Sequence, residues 1–308
     1  MAIKIKENVP LAPLTTFKIG GPAKYFVDVR TEDEMREAIL WAKERGIVFV
    51  LMSGGSNMLV PDGGLNKLII HITKGNFSIN GRELTADAGC DLLELIRAAS
   101  EKNLGGWEKL AGIPGTIGGA VRGNAGAFGT EIKDFSVKIR ALNSVTAEIR
   151  EFQNTSCDFA YRHSFFKDNP EWVITNVVIE LQGTDAAESV RLIEETIAER
   201  EKRHLQNVQA AGSYFMNPVA PREVQEMFEK EKGIKSRENR VPAGWLIEKA
   251  GMKGVKVGGA IASLQHPNYI VNEGGATARE VKQLAEDIKK AVAVKFGVQL
   301  KEEAVILS

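Results

Sequence analysis

Residues 110–129, LAGIPGTIGGAVRGNAGAFG, hold seven of the chain's 30 glycines in twenty positions. Glycine reaches the left-handed half of backbone space and lets other groups approach the main chain, but ordering it costs more entropy than ordering any other residue. A fold that concentrates it here has a task for its backbone. The spacing excludes several such tasks. Glycines 112, 115 and 118 recur every third position rather than as the G-x-G-x-x-G of a dinucleotide-binding turn, and no Lys-Ser or Lys-Thr follows to complete a P-loop. The three-residue period stops quickly and has no proline repeat, so the segment is not collagen-like. Ile113, Ile117, Val121 and Phe128 are apolar anchors of a kind a flexible linker lacks. What remains is an ordered run of main-chain N–H groups able to curl around an anionic or flat ligand.

A second glycine loop, SGGSNMLV at 53–60, lies at the end of a strand, helix, strand pattern. KYFVDVR (24–30) reads as a strand, and the next segment carries a Thr31/Glu34 capping box, a Met35-Ala38-Ile39-Ala42 stripe and a terminating Gly46. IVFVLM then forms a short apolar run. Ligands of α/β sheets gather where strands empty into such turns, so this loop is a second candidate contact. It is not a nucleophile elbow, because Met58 occupies the last glycine position of G-x-S-x-G. Further strands are expected at LIIHI, RELTADAG, VKIRAL, AEIREF and WVITNVVIEL, the last a continuous apolar run suited to a sheet interior. A helix from Asp91 to Asn103 carries Leu92, Leu95, Ile96 and Ala99 on one face.

A charged helix over about 185–203 closes this half, and its composition shift places a domain boundary near residue 205. Beyond it come AGSYFMNP, helices near 221–232 and 243–250, a VGGAIAS strand, and a long helix opening on a Thr277/Glu280 capping box. The spacing of Val298, Leu300, Val305 and Leu307 predicts a final strand. The domains expected are thus 1–205 (subdivided at about 70 into 1–70 and 71–205), 206–297, and a C-terminal strand over 298–308 carrying Glu303.

Lys plus Arg and Asp plus Glu both total 40, so no net field favours nucleic acid or an acidic membrane, and a small molecule is the expected partner. No apolar leader or membrane-length apolar run is visible, which points to the cytoplasm. Cys90 and Cys157 are far apart, and the histidines at 71, 163, 204 and 266 form no ligand spacing, so no metal site is expected. Three residues are candidates for chemistry, although a surface arginine with a packed stem and a structural turn serine are the commoner readings of the first two. Arg162, in YRHSFF, is able to fork onto a carboxylate or phosphate. Ser213 sits in a polar turn beside aromatics, and Glu303 lies in an apolar run where a buried carboxylate needs a partner. One cation, one hydroxyl and one carboxyl beside two glycine loops suit an enzyme whose cofactor carries the difficult chemistry.

The ordered set TTFKIGGPAKYFV, SGGSNMLV, GIPGTIGGAVRGNAGAFG, FAYRHSFF, AGSYFMNP, GWLIEKAGMKG and HPNYIVNEGGATAREV resembles the MurB family, in its shorter type II form, over nearly the whole chain. The resemblance implies an α+β fold: a bipartite FAD-binding region of the vanillyl-alcohol-oxidase (PCMH) type plus a smaller α+β substrate-binding domain. It implies non-covalent FAD wrapped by Ser53, Gly54, Gly55, Ser56 and Asn57, and by Gly112, Ile113, Pro114, Gly115, Thr116, Gly118, Gly119, Ala120, Asn124 and Gly126. NADPH would be the hydride donor, held transiently without a dedicated Rossmann domain. The implied reaction reduces UDP-N-acetylglucosamine enolpyruvate to UDP-N-acetylmuramate for peptidoglycan synthesis. By the same resemblance Ser213 donates a proton to C2, while Arg162 and Glu303 stabilise the charge left by hydride addition at C3. A donating Glu303 would have to be protonated. Tyr161, Asn217 and His266 fall on substrate-contact positions.

Three places depart from the family pattern. Met216 stands where lysine is frequent, His204-Leu205 replaces a common Gln-Pro, and the tail reads EEAVILS, so that a slip of one residue would nominate Glu302 in place of Glu303. Two alternatives stay open on the sequence: another FAD-dependent oxidoreductase of the same fold, and a flavin-binding protein without turnover.

Overall fold

The computed structural model describes residues 3–203 and 207–308. His204 and Leu205, and the boundary expected near 205, lie outside the described residues. The chain divides into two units. The first takes the chain up to Val9, then Ala23–Gly55 and Asn66–Lys202; the second takes Pro10–Pro22, Ser56–Leu65 and Arg203–Ser308. The first region drawn from sequence as a continuous 1–205 therefore gives up two short segments. The reason is burial: Phe17, Ile19 and Leu59 from those segments are packed into the second unit's core.

In the first unit, helix α1 (Glu32–Glu44) starts where Thr31 and Glu34 complete the expected capping box. Its buried stripe is Met35, Ala38, Ile39 and Ala42, as the periodicity predicts. That stripe packs on Val27, Val29, Leu68 and Ile70 of a four-stranded sheet. The sheet order is Lys6–Pro10, Pro22–Val29, Leu65–Ile72, Phe49–Met52, with the last two strands parallel. A second, antiparallel sheet runs Ile149–Gln153, Ser136–Asn143, Trp172–Glu180, Glu83–Asp87, Phe77–Asn80. The apolar run at 172–180 is its middle strand, bonded on both edges, and Val177 and Ile179 are fully buried.

Around this second sheet lie α2 (Leu92–Ser100), α3 (Ile117–Gly123), the single turn α4 (Phe165–Asp168) and α5 (Ala186–Lys202). Two apolar clusters result, one around Val27 and Ile70 that also takes Leu142 and Val173 from the second sheet, the other around Leu95, Trp107 and Val177. Part of the glycine stretch is helical, which its composition hides. α3 is capped by Thr116, and a methyl group at Gly118 would come within 2.6 Å of the Ala88 Cβ, so glycine lets the helix lie against that chain.

The second unit holds α6 (Arg222–Lys232), α7 (Ala243–Lys249) and the long α8 (Ala278–Phe296), with the expected Thr277/Glu280 capping box. Val281, Leu284, Ile288 and Val292 of α8 join Trp245 and Leu246 of α7 in one core. A three-stranded antiparallel sheet, Lys256–Val257, Ala260–Ala262, Ile270–Asn272, completes that core. The C-terminal strand expected over 298–308 is corrected to Val305–Ile306, paired in parallel with Met58–Leu59. Val298 and Leu300 are buried as core residues, each 3% exposed, whereas the paired residues Val305 and Ile306 are exposed. Glu303 precedes this strand rather than lying in it.

Candidate functional site

Within the first unit the two glycine loops meet. The loop Ser53–Gly55 leaves the end of strand Phe49–Met52, and Thr116 Oγ1 donates to Ser53 Oγ at 3.0 Å. A methyl on Gly54 would lie 3.0 Å from the Gly115 Cα, a main-chain atom with little room to yield. Gly115 has φ +122°, a conformation that residues with a side chain rarely adopt. The loop is nonetheless ordered: the Gly115 carbonyl accepts from the Leu92 N–H at 3.1 Å, and the Ile113 N–H donates to Leu110 O at 3.1 Å.

Main-chain donors remain over. The N–H groups of Gly54, Gly55 and Gly115 find no acceptor among the described residues. Gly55 is buried, and a buried N–H without a partner costs about 1–3 kcal/mol. An acceptor-rich ligand would satisfy these groups. Gly119 and Pro114 are exposed, and a methyl on Gly119 would meet only ordinary contacts with the Thr116 and Ser53 hydroxyls. Gly112 and Ser56 already hold partners. Ala120 and Gly118 are buried within α3, and Gly126 pairs with Glu131 in a short hairpin.

Asn124 is the tether of this loop. It caps α3 in the left-handed conformation and is fully buried. Its amide donates to Ala160 O (2.9 Å) and Glu131 Oε2 (3.1 Å), and its oxygen accepts from the Lys133 N–H (3.2 Å). The bond to Ala160 reaches the next candidate segment. Ala160 and His163 exchange main-chain bonds across Tyr161 and Arg162, placing those two residues at the tip of a tight turn. Arg162 is left-handed, with φ +53°. Its guanidinium donates to Gly126 O at 3.0 Å and lies 5.2 Å from the Tyr161 ring centre, while Lys167 bonds its carbonyl at 2.8 Å. The cation is thus fixed to the glycine loop itself.

The second unit assembles the other candidates on main chain. Tyr214 and Phe215, each 1% exposed, anchor the segment that begins with Ser213. On one edge Met216 N–H donates to Lys301 O (2.9 Å) and Glu303 N–H to Tyr214 O (2.8 Å). On the other edge Asn268 bonds Tyr214 and Phe215. The Ser213 hydroxyl is half-buried and has no hydrogen-bond partner among the described residues. Asn57 Nδ2 donates to Glu303 O at 3.1 Å, and Val305 N–H donates to Asn57 O at 3.0 Å, so the tail is held by the second half of the SGGSN loop.

These contacts distinguish the two neighbouring glutamates. Glu302 is committed to Lys289 at 3.0 Å, and bonds from Glu286 and Glu302 raise the Lys289 ammonium above its ordinary value. Glu303 has its main chain tied beside Ser213. Asn217 Oδ1 accepts the Ala243 N–H at 2.9 Å, at the start of α7, and its carbonyl accepts from Arg240. The His266 ring packs edge-on against Tyr269 at 4.9 Å, and the His266 main-chain N–H donates to Ser263 Oγ at 3.2 Å. Asn268 received no role from sequence reasoning. Its partners lie 53 residues away, so no local spacing marks it.

Residues 203–307 match the family model described as the C-terminal domain of UDP-N-acetylenolpyruvoylglucosamine reductase, and residues 23–151 match an FAD binding domain. The chain is 34% identical over 306 residues to the Solibacter usitatus protein of that reductase name, covering 98% of this chain and 96% of the relative. The chain belongs to the UDP-N-acetylenolpyruvoylglucosamine reductase family. A Carboxydothermus hydrogenoformans member is 36% identical, covering 98% of this chain and 94% of the relative. The crystal structure of the Thermus caldophilus reductase (MurB) superposes with a TM-score of 0.76 at 27% identity, covering both chains in full. The fold class expected from the sequence is therefore established as that of an FAD-binding member of this family. The spare N–H groups and the Ser53 hydroxyl, which accepts from Thr116 and keeps its own proton to donate, fit such a group, which is rich in acceptor oxygens.

Proposed function

We propose that this chain reduces UDP-N-acetylglucosamine enolpyruvate to UDP-N-acetylmuramate, with NADPH as hydride donor and non-covalent FAD, in the formation of peptidoglycan precursors in the cytoplasm. The observation that carries this reading is the near full-length relationship to reductases of this name, which spans both glycine loops and both candidate chemical segments. No helix among the described residues is long and apolar enough to cross a membrane.

Gly54, Gly55, Gly115, Thr116 and Gly119 would hold the flavin. Once bound, the flavin supplies hydride chemistry that no side chain possesses. Hydride addition at C3 of the enolpyruvyl ether leaves carbanion character at C2 and added charge on the adjacent carboxylate. Arg162, immobilised by Gly126, stabilises that charge without reorganising. Ser213 delivers a proton to C2. Its lone hydroxyl is a weak acid, but the acceptor is strongly basic, so geometry rather than a shifted pKa makes the transfer efficient. Glu303 donates a hydrogen bond to the developing enolate from its place beside Ser213. Tyr161, Asn217 and His266 orient the substrate.

Neither thiol suits the covalent flavin tether of other enzymes of this fold. Burial pushes the Cys157 thiol up to about 12, and burial raises the Cys90 thiol. The deciding experiment follows the flavin absorbance near about 450 nm under anaerobic conditions. NADPH should bleach it and UDP-N-acetylglucosamine enolpyruvate should restore it; bleaching without recovery would reject the assigned acceptor, and no flavin band would reject the whole reading. The two glutamates separate by pH. Glu303→Gln should slow reoxidation about 10- to 100-fold and change the pH–rate profile, whereas Glu302→Gln should leave both within about threefold.

A further inference from the structure

We infer that Asn268 is a positioning residue for the proton-transfer step, its buried carboxamide holding the Ser213 segment in register with Glu303. This deepens the reading of Ser213 proposed above and rests on it. Asn268 is 3% exposed. Its Oδ1 accepts the Phe215 N–H at 3.0 Å and its Nδ2 donates to the Phe215 carbonyl at 2.8 Å, while its own carbonyl accepts the Tyr214 N–H at 2.7 Å. A carboxamide offers a donor and an acceptor side by side, so the Asn268 side chain bonds Phe215 as a neighbouring peptide strand would. The opposite edge of the segment bonds Lys301 and Glu303, and Phe215 bridges to Glu302. Residues 214–216 are therefore the middle run of three, although only two are chain segments.

The clamp matters because Ser213 has nothing else. Its hydroxyl lacks a partner among the described residues, so only its main chain fixes where the oxygen sits. Tyr214 and Phe215 are out of water, and an apolar residue at 268 would orphan both the N–H and the carbonyl of Phe215. Asn268 is itself anchored: Ser263 Oγ accepts the N–H groups of Gln265 and His266, and the flanking strands Ala260–Ala262 and Ile270–Asn272 are paired. A shift of about 1 Å in a reacting group costs about 100-fold in rate.

The test uses the holoenzyme and separates the two half-reactions. Asn268→Ala should leave flavin reduction by NADPH within about twofold and slow reoxidation by UDP-N-acetylglucosamine enolpyruvate about 30- to 100-fold at saturating substrate, a loss in kcat rather than KM. Combined with Ser213→Ala it should add nothing further, because the clamp acts only through that hydroxyl. Asn268→Asp keeps the acceptor but turns the donor into a second acceptor, so its reoxidation should recover as pH falls and the carboxyl protonates. This variant also serves if Asn268→Ala does not fold. Normal reoxidation in Asn268→Ala, an equal slowing of both half-reactions, or a loss that adds to Ser213→Ala would overturn the inference. Hydrogen exchange of the peptide covering 212–217 should rise about tenfold or more in the variant. Unchanged exchange also overturns the clamp, and this readout stands even if the wild-type flavin fails to respond to the substrate, the outcome that rejects the functional reading instead.

Discussion

The first unit shapes its candidate segment with glycine, the second with asparagine. In the glycine loops the main chain is kept bare, and Gly54 abuts Gly115 so closely that a methyl would strike backbone. Unused N–H groups are left for a ligand. Just after Ser213 the main-chain donors are instead taken: the N–H groups of Tyr214, Phe215 and Met216 all donate to partners, and the Ser213 hydroxyl has none among the described residues. One region leaves main-chain donors open among the described residues, the other leaves a single side-chain hydroxyl open.

That contrast can be broken by experiment. Ser213→Ala should slow flavin reoxidation by substrate about 10²- to 10⁴-fold while NADPH still reduces the flavin, a split visible in anaerobic stopped-flow traces. Equal slowing of both half-reactions would show that the free hydroxyl does not mark a step of its own. Gly115→Ala should act on the other side of the comparison. At φ +122° the added Cβ costs about 1–3 kcal/mol, which predicts FAD binding weakened about 5- to 100-fold. Fluorescence of released flavin measures it, and retention at wild-type affinity would remove the bare main chain from cofactor binding.

The smallest expected change tests whether the second unit's scaffold is independent of both sites. Glu280 accepts the N–H groups of Thr277 and Gly259, and these bonds hold its carboxyl below the ordinary 4.5. Its folded pKa is lowered, so its contribution is present above pH 4.5 and is lost as pH falls through the folded value. Glu280→Gln should lower the urea midpoint slightly at pH 7 and converge with the wild type in acid, with flavin content unchanged. A variant equally deficient at pH 7 and in acid would refute this sign.

Much of the first unit was legible because its signals are local. The Thr31/Glu34 box, the stripe ending at Ala42 and the apolar run at 172–180 concern residues within a turn or a strand of each other, and each appears where expected. The glycine loops were legible as ordered backbone for the same reason, although the helix inside them, capped by Thr116 and Asn124, was hidden by its glycines, which the approach of Gly118 to Ala88 requires. The alternation of Val298 and Leu300 predicts a longer strand, yet both are buried in the core and precede the paired residues Val305–Ile306. Glu302 and Glu303 were separable only through Lys289, Tyr214 and Asn57, all distant in sequence.

From the order of residues alone come the family, the α+β character, the two glycine loops and the choice of Arg162, Ser213 and Glu303 as candidates. Capping, periodicity and motif spacing are short-range, and a linear chain records them directly. Folding settled which segments leave the first half for the second core, where the last strand begins, and that Asn268 completes the ladder beside Ser213. Those outcomes depend on which main-chain groups are driven out of water together, and burial pairs residues hundreds of positions apart without leaving a pattern along the chain.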